Sequence, residues 1–319
     1  MSEQILDMTV IIGKLVLRNP VIIASGVFGY GREYDGLIDV ERLGAIITKG
    51  ISLRPSLGNP GPRIVETPSG MLNAIGLHNI GFDAFVKEKL PLLRQLNVPV
   101  IVNFYGSSVE EYAELARKLN ECDGISGLEV NISCPNIRNG GIAFGIDADM
   151  AAAVTRAVRG ETALPLIVKL SPNVTSIVDI ALSVVNAGAD ALSLINTITG
   201  MVIDIESQTP VLGNITGGLS GPAIRPIAVR MVWEVAQHVA VPIIGVGGII
   251  TADDALQFLI AGATAIQVGT GIFVNPKAPE EIITGIASFM TRHHYVHITD
   301  IIGSLRVSSK SEDSDARDK

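Results

Sequence analysis

Short apolar runs that stop at a polar residue or a glycine recur along the chain. They are VIIAS ending at Ser25, AIITKG at Lys49, VPVIVN at Asn103, GLEVNIS at Asn131, PLIVKLS at Lys169, ALSLINT at Asn196, VPIIGVGG at Gly247 and AIQVGT at Gly269. Between them, segments such as 109–119, 148–158, 177–187 and 252–261 carry apolar residues at helical spacing. Near-continuous apolar strands alternating with helices predict a parallel sheet covered on its outer face. Eight such units suit an α/β fold closed as a (β/α)8 TIM barrel. The rival, an open doubly wound sheet, is disfavoured because no G-x-G-x-x-G opens a helix after the first strand.

Successive strand ends lie 22 to 38 residues apart except after the second and sixth, where the gaps are 54 and 51. The inserts occupy 51–80, rich in Gly, Pro and Asn, and 198–222, which contains GNITGGLSGP. Both leave from strand C-terminal ends, the face on which barrels build their sites, so they are expected to wall one pocket. The segment TVIIGKLVLRNP alternates around Gly13 and predicts a hairpin closing the barrel floor. Residues 1–306 read as a single barrel domain. The densely charged stretch from Val307, at 307–319, reads as a disordered polar tail.

Composition narrows the class. With 319 residues, 47% of them hydrophobic, and 33 glycines, the chain is too apolar for a disordered protein. Its most apolar stretch, VPIIGVGGII, is far shorter than the roughly 20 residues a spanning helix needs, so no membrane role is expected. The start lacks the pattern of a secretory signal, which places the protein in the cytoplasm as an expectation. A net charge of −8 argues against nucleic acid as a partner. Two cysteines, Cys122 and Cys134, are too few to hold an iron-sulfur cluster, which would have to reside on another chain.

The candidate chemistry gathers at the strand ends. GVGGI (245–249) and QVGTGIF (267–273) follow the seventh and eighth strands, where barrels often bind phosphate, although such glycines also serve plain tight turns. Lys49 and Lys169 each end an apolar strand and should point into the barrel mouth. A buried ammonium there calls for an anion, whereas a lysine snorkelling to solvent does not. Asn73, Asn103, Asn131 and Asn196 offer paired donors and acceptors on the same rim, suited to a planar heterocycle, whereas a single Asn there also reads as a helix cap. Cys134 lies in the glycine- and asparagine-rich NISCPNIRNGG, where a thiol can exchange a proton, while Cys122 follows helical residues and reads as a packing cysteine. His293, His294 and His297 lack accompanying ligands, so no metal site is assigned and a solvated helix end is expected. Thr251 reads as a helix cap, followed by Asp253 and Asp254.

Taken in order, NAIGLHNIG (73–81), NISCPN (131–136), VKLSPN (168–173), SLINT (193–197), GGLSGPAIRPIA (217–228), GVGGI and QVGT resemble dihydroorotate dehydrogenase over about residues 5–290. More narrowly, the chain resembles the class 1B, NAD-linked catalytic subunit; the cysteine of NISCPN is the class 1 signature. His78 stands where a glutamine is expected, and GTGIF replaces a more usual GTANF. The resemblance implies oxidation of (S)-dihydroorotate to orotate in pyrimidine biosynthesis, with one FMN per chain accepting the C6 hydride and Cys134 taking the C5 proton. It implies substrate contacts from Lys49, Asn73, Ala74, Ile75, Gly76, Leu77, Asn131, Asn196 and Thr197. It implies FMN contacts from Ser25, Lys49, Gly50, Asn103, Asn131, Lys169, Ile195 and Gly221, with the phosphate at Gly247, Gly248, Gly269 and Thr270. Lys169 would lie by the N1 and O2 edge of the flavin. An electron-transfer subunit carrying FAD and an iron-sulfur cluster would pass electrons to NAD+, in a heterotetramer of two plus two.

Three other readings stand beside it. One is the fumarate-using class 1A enzyme, and another is a different FMN barrel acting on a dihydropyrimidine or dihydrouridine. The third is a non-enzymatic barrel that binds a phosphate ligand, which would leave Cys134, Lys49 and Lys169 without a task.

Overall fold

In the computed structural model, residues 6–31, 33, 34, 36–132 and 144–307 are described. Eight parallel strands close a barrel: β1 (Val21–Ile23), β2 (Ala45–Ile47), β3 (Val100–Phe104), β4 (Gly127–Asn131), β5 (Leu166–Lys169), β6 (Ala191–Leu194), β7 (Ile243–Val246) and β8 (Ala265–Val268). Each strand pairs with its sequence neighbours, and β8 returns to β1 with Ile266 opposite Val21. The strands are buried on both faces, which is why they read as continuous apolar runs. All eight predicted strands are present, each within a few residues of its expected end.

The outer layer follows the predicted periodicity. Helices Val109–Asn120, Ala148–Glu161, Ile177–Asn186 and Ala252–Ala261 start at Ser108, Asp147, Ser176 and Thr251, whose side chains each accept a hydrogen bond from a first-turn backbone N–H. Thr251 is the cap, as expected, and with Asp254 it forms a reciprocal capping box. The first βα unit departs from the pattern. Between β1 and β2 the described residues hold only a three-residue 3-10 turn, Val40–Arg42. Glycines at 26, 29, 31 and 36, all at positive φ, break that stretch before a helix can propagate.

The N-terminal hairpin pairs Val10–Ile12 with Leu15–Leu17 around Gly13, which sits at φ +61°. Its inward residues Ile12 and Leu17 are fully buried, and the turn lies against Pro165 and Asp190 at the bottom of β5 and β6. This is the expected floor. The two inserts meet across the opposite end in one antiparallel sheet, ordered Ile198–Gly200, Gly217–Ser220, Gly70–Asn73, Ile64–Thr67. The expected shared wall is thus a continuous sheet, with Gly218 opposite Asn73 and Ser220 opposite Met71. The tail from Ser308 onward lies outside the described residues. Among the described residues no helix is long and apolar enough to cross a membrane.

Candidate active site

Two adjoining cavities occupy the space between the barrel mouth and the inserted sheet. The larger, about 340 Å³, opens over the C-terminal ends of β1, β2, β5, β7 and β8; the smaller, about 180 Å³, lies under the inserted sheet. Asn73, Ile75, Leu77, Asn131, Asn196 and Thr197 line both. Ser25, Lys49, Gly50, Asn103, Lys169, Ile195, Gly221, Gly247, Gly248, Gly269 and Thr270 line the larger; Ala74 and Gly76 line the smaller. The structure therefore gathers every site residue named from the sequence except Cys134, which lies outside the described residues.

Beneath the larger cavity the barrel interior is polar. Glu129 on β4 is fully buried, and its carboxylate accepts from Asn103 Nδ2 at 2.7 Å, Ser193 Oγ at 2.9 Å and Gln267 Nε2 at 2.7 Å. Lys169 Nζ stands 3.6 Å from Glu129 Oε1 and donates to Gln267 Oε1 and Ser25 Oγ, each at 3.5 Å. Lys169 thus already has a carboxylate partner, so only part of the expected demand for an external anion remains there. Lys49 has no such counter-ion in the described contacts. Burial pushes its ammonium below the ordinary lysine value, and the nearby Arg63 guanidinium pushes the same way.

Glycines shape the rim over β7 and β8. Gly247 and Gly248 adopt φ +136° and +71°, and a side chain at 248 would stand 2.6 Å from the carbonyl oxygen of Gly221. A Cβ at Gly269 would meet nothing closer than Ala24 at 3.8 Å, so bare backbone faces the cavity there. The loop after β7 is fixed from behind by Asp254, which accepts from the amides of Ile250 and Thr251 at 3.0 Å and is ion-paired with Arg225.

The smaller cavity is lined by amides and hydroxyls. Asn196 Nδ2 donates to Asn131 Oδ1 at 3.5 Å, and Asn196 Oδ1 accepts from the amide of Thr197 at 2.8 Å. Asn73 Nδ2 donates across the sheet to the carbonyl of Gly218 at 3.4 Å; a side chain at 218 would collide with Thr197. The loop 74–77 is held in an unusual course, with Gly76 and Leu77 at φ +71° and +59°. Asn59 bonds the carbonyls of Ala74 and Ile75, and the Tyr105 hydroxyl donates to the carbonyl of Leu77 at 2.8 Å. Asn79 and Ser52 in turn donate to the Tyr105 oxygen at 2.5 and 3.1 Å.

The sequence motifs do not mark several of the lining residues. Asn173, Thr199, Asn214 and Thr216 border the smaller cavity, and Asn173 ties the chain after β6 by donating to the carbonyl of Thr197 and accepting from the amide of Thr199, both at 3.0 Å. Glu129 and Gln267 carried a legible signal: a carboxylate and an amide inside otherwise apolar strands, GLEVN and AIQV. Cys122 is partly buried, and its thiol is pushed up by burial, in keeping with a packing role. His293 caps the last long helix and His297 faces Asp7 at 3.3 Å. Among the described residues no group of three potential metal ligands assembles.

Comparison with known proteins gives a consistent result. The family model described as dihydroorotate dehydrogenase matches residues 7–290. The chain is 59% identical over 301 residues to a protein of Geotalea daltonii named dihydroorotate dehydrogenase B (NAD(+)), catalytic subunit, covering 94% of this chain and 99% of that protein. Proteins of the same name from Geotalea uraniireducens and Pelobacter propionicus are each 58% identical over 299 residues, covering 94% of this chain and 98% of theirs.

Proposed function

The chain belongs to the dihydroorotate dehydrogenase family, and from that premise we propose that it oxidises (S)-dihydroorotate to orotate in pyrimidine biosynthesis in the cytoplasm. In this reading FMN occupies the larger cavity, and dihydroorotate lies where the two cavities meet, between Lys49 of the larger and the amides of the smaller. Electrons leave through a partner subunit, bearing FAD and an iron-sulfur cluster, to NAD+ in an assembly of two plus two chains.

The residues present fit FMN. Gly247, Gly248 and Gly269 offer bare backbone to a phosphate, and Lys169, Asn103 and Ser25 offer donors and an acceptor to the polar edge of a flat ring. Ile195, Ile224 and Val246 supply apolar surface for its faces. FMN when bound supplies the acceptor for the hydride that leaves substrate C6. The chain does the rest. Lys49 meets the substrate carboxylate with a positive charge, and the half-buried amides of Asn73, Asn131 and Asn196 match the alternating C=O and N–H groups of the pyrimidine. Loop 74–77, braced by Tyr105 and Asn59, fixes the ring against the cofactor side. Cys134 takes the proton from C5. Lys169 holds positive potential at the cavity floor, where charge accumulates as the cofactor is reduced.

The observation that carries this reading is the meeting of the two cavities at shared residues. One is cationic with a glycine rim, and the other is rich in amides. The test is anaerobic mixing of the flavin-loaded protein with dihydroorotate, which is expected to bleach the flavin absorbance. Cys134→Ala should retain FMN and lose the rate of bleaching by about a hundredfold or more, the scale of a missing general base. A wild-type protein that takes up no flavin on reconstitution would sink the proposal, and unchanged bleaching by the variant would remove the role of Cys134. NAD+ reduction is expected only when the partner subunit is present.

A further inference from the structure

Glu129 touches neither cavity, yet it is the only carboxylate among the described residues that lies within 4 Å of the Lys169 ammonium. It sits at full burial in the barrel interior, where a hydrophobic side chain would fill the same volume. Replacing buried ion pairs by apolar residues is often neutral or stabilising, so fold stability is a poor reason for the charge. The surrounding groups are organised around it. Side chains on β3, β6 and β8 all donate to its two oxygens, and Gln267 spans the pair, donating Nε2–H to Glu129 while its Oε1 accepts from Lys169. The even strands β4, β6 and β8 supply Glu129, Ser193 and Gln267, and the odd strands β3 and β5 supply Asn103 and Lys169. In register, Asn103 lies opposite Glu129 and Lys169 opposite Ser193, so polar groups stand where a barrel core carries aliphatic ones. Of these five, only Asn103 and Lys169 reach the cavity.

We propose that Glu129 is a positioning residue for the cofactor site: its carboxylate, clamped by Asn103, Ser193 and Gln267, holds the Lys169 ammonium in place at the cavity floor. The inference rests on the reading of that cavity as the FMN site. It makes a prediction of sign. If Glu129 acted only as a nearby negative charge, its neutralisation would raise the flavin midpoint potential. If it holds Lys169, neutralisation leaves a buried ammonium without the partner that fixes it, the ammonium leaves its place at the cavity floor, and the potential falls.

The experiment compares wild type, Glu129→Gln, Lys169→Met and the double variant, each reconstituted with FMN. Flavin midpoint potential is read against a reference dye, and FMN affinity by quenching of flavin fluorescence. The expected result is a lower potential and weaker FMN binding in Glu129→Gln, with no further fall when the same change is added to Lys169→Met. A potential that is unchanged or raised in Glu129→Gln, or one that falls equally in the Lys169→Met background, overturns the inference. If circular dichroism shows that Glu129→Gln does not fold, Glu129→Asp decides the matter, since it keeps the charge and withdraws it by one methylene. A lowered potential there supports the inference and a wild-type potential overturns it. Wild-type protein that holds no flavin would overturn the FMN reading itself, an outcome separate from any difference among the variants.

Discussion

The two cavities are made by different means. The larger stands on the ends of barrel strands, with Lys169 ion-paired from below to Glu129 and a rim formed by glycine backbone. The smaller hangs from inserted segments. Its amides are held by cross-strand and loop hydrogen bonds, and its strands are only partly buried. Charge and shape are thus fixed by the deep core on one side, while hydrogen-bond pattern is fixed by a surface sheet on the other. Damage to one side should therefore leave the other measurable.

The sharpest way to break this contrast is Gly248→Ala. The new Cβ would sit at φ +71° and 2.6 Å from the Gly221 carbonyl oxygen, so the loop after β7 must shift. Strain of roughly 3 kcal/mol corresponds to a rise of about a hundredfold in the FMN dissociation constant, read by fluorescence quenching. With FMN in saturating excess, the apparent affinity for dihydroorotate should move little. If both affinities collapse together, the two sides are not independent.

Asn196→Ala probes the other side. It removes an amide that bonds Asn131 and the Thr197 backbone. The expected effect is a KM for dihydroorotate raised about tenfold or more, with FMN affinity within about twofold of wild type. The smallest effect is a pH dependence. Lys49 is displaced downward by burial and by Arg63, so raising the pH removes its proton before that of an ordinary lysine. The neutral amine no longer attracts a carboxylate, so affinity for orotate should fall on the alkaline side. By linkage, bound orotate should raise the Lys49 value. Titration of orotate over about pH 7 to 10 should show this limb in wild type and lose it in Lys49→Arg. The Gly248→Ala protein, saturated with FMN, should keep it.

What was legible in the sequence divides along the same line. Barrel strands are local objects, and a buried parallel strand announces itself by continuous apolar character up to the residue that leaves the core. Lys49, Asn103, Asn131, Lys169 and Asn196 were found in that way. Glu129 and Gln267 lie inside the same runs and not at their ends, so the same signal does not mark them. Their inward placement follows from the strand register, not from composition. The inserted sheet was foreseen only as a shared wall. Pairing Gly70–Asn73 with Gly217–Ser220 joins segments more than 140 residues apart, and strands with several glycines carry little alternation to betray their partners. Asn214 and Thr216 border the smaller cavity through that pairing alone.

The register of that sheet sets which insertions and deletions the chain can accept. Asn73 is flanked by Gly218 on one side and Ile64 on the other. Side chains alternate between faces along a strand, so losing a single residue within 70–73 would turn the Asn73 amide away from the cavity. Losing one within 217–220 would shift Gly218 from its place against Thr197, where a side chain has no room. The exposed hairpin of Ile203–Asp204 and Thr209–Pro210 lies beyond this registration and can lengthen or shorten at 205–208 without moving Asn73. Length variation in the second insert is therefore free at its tip and forbidden at its base.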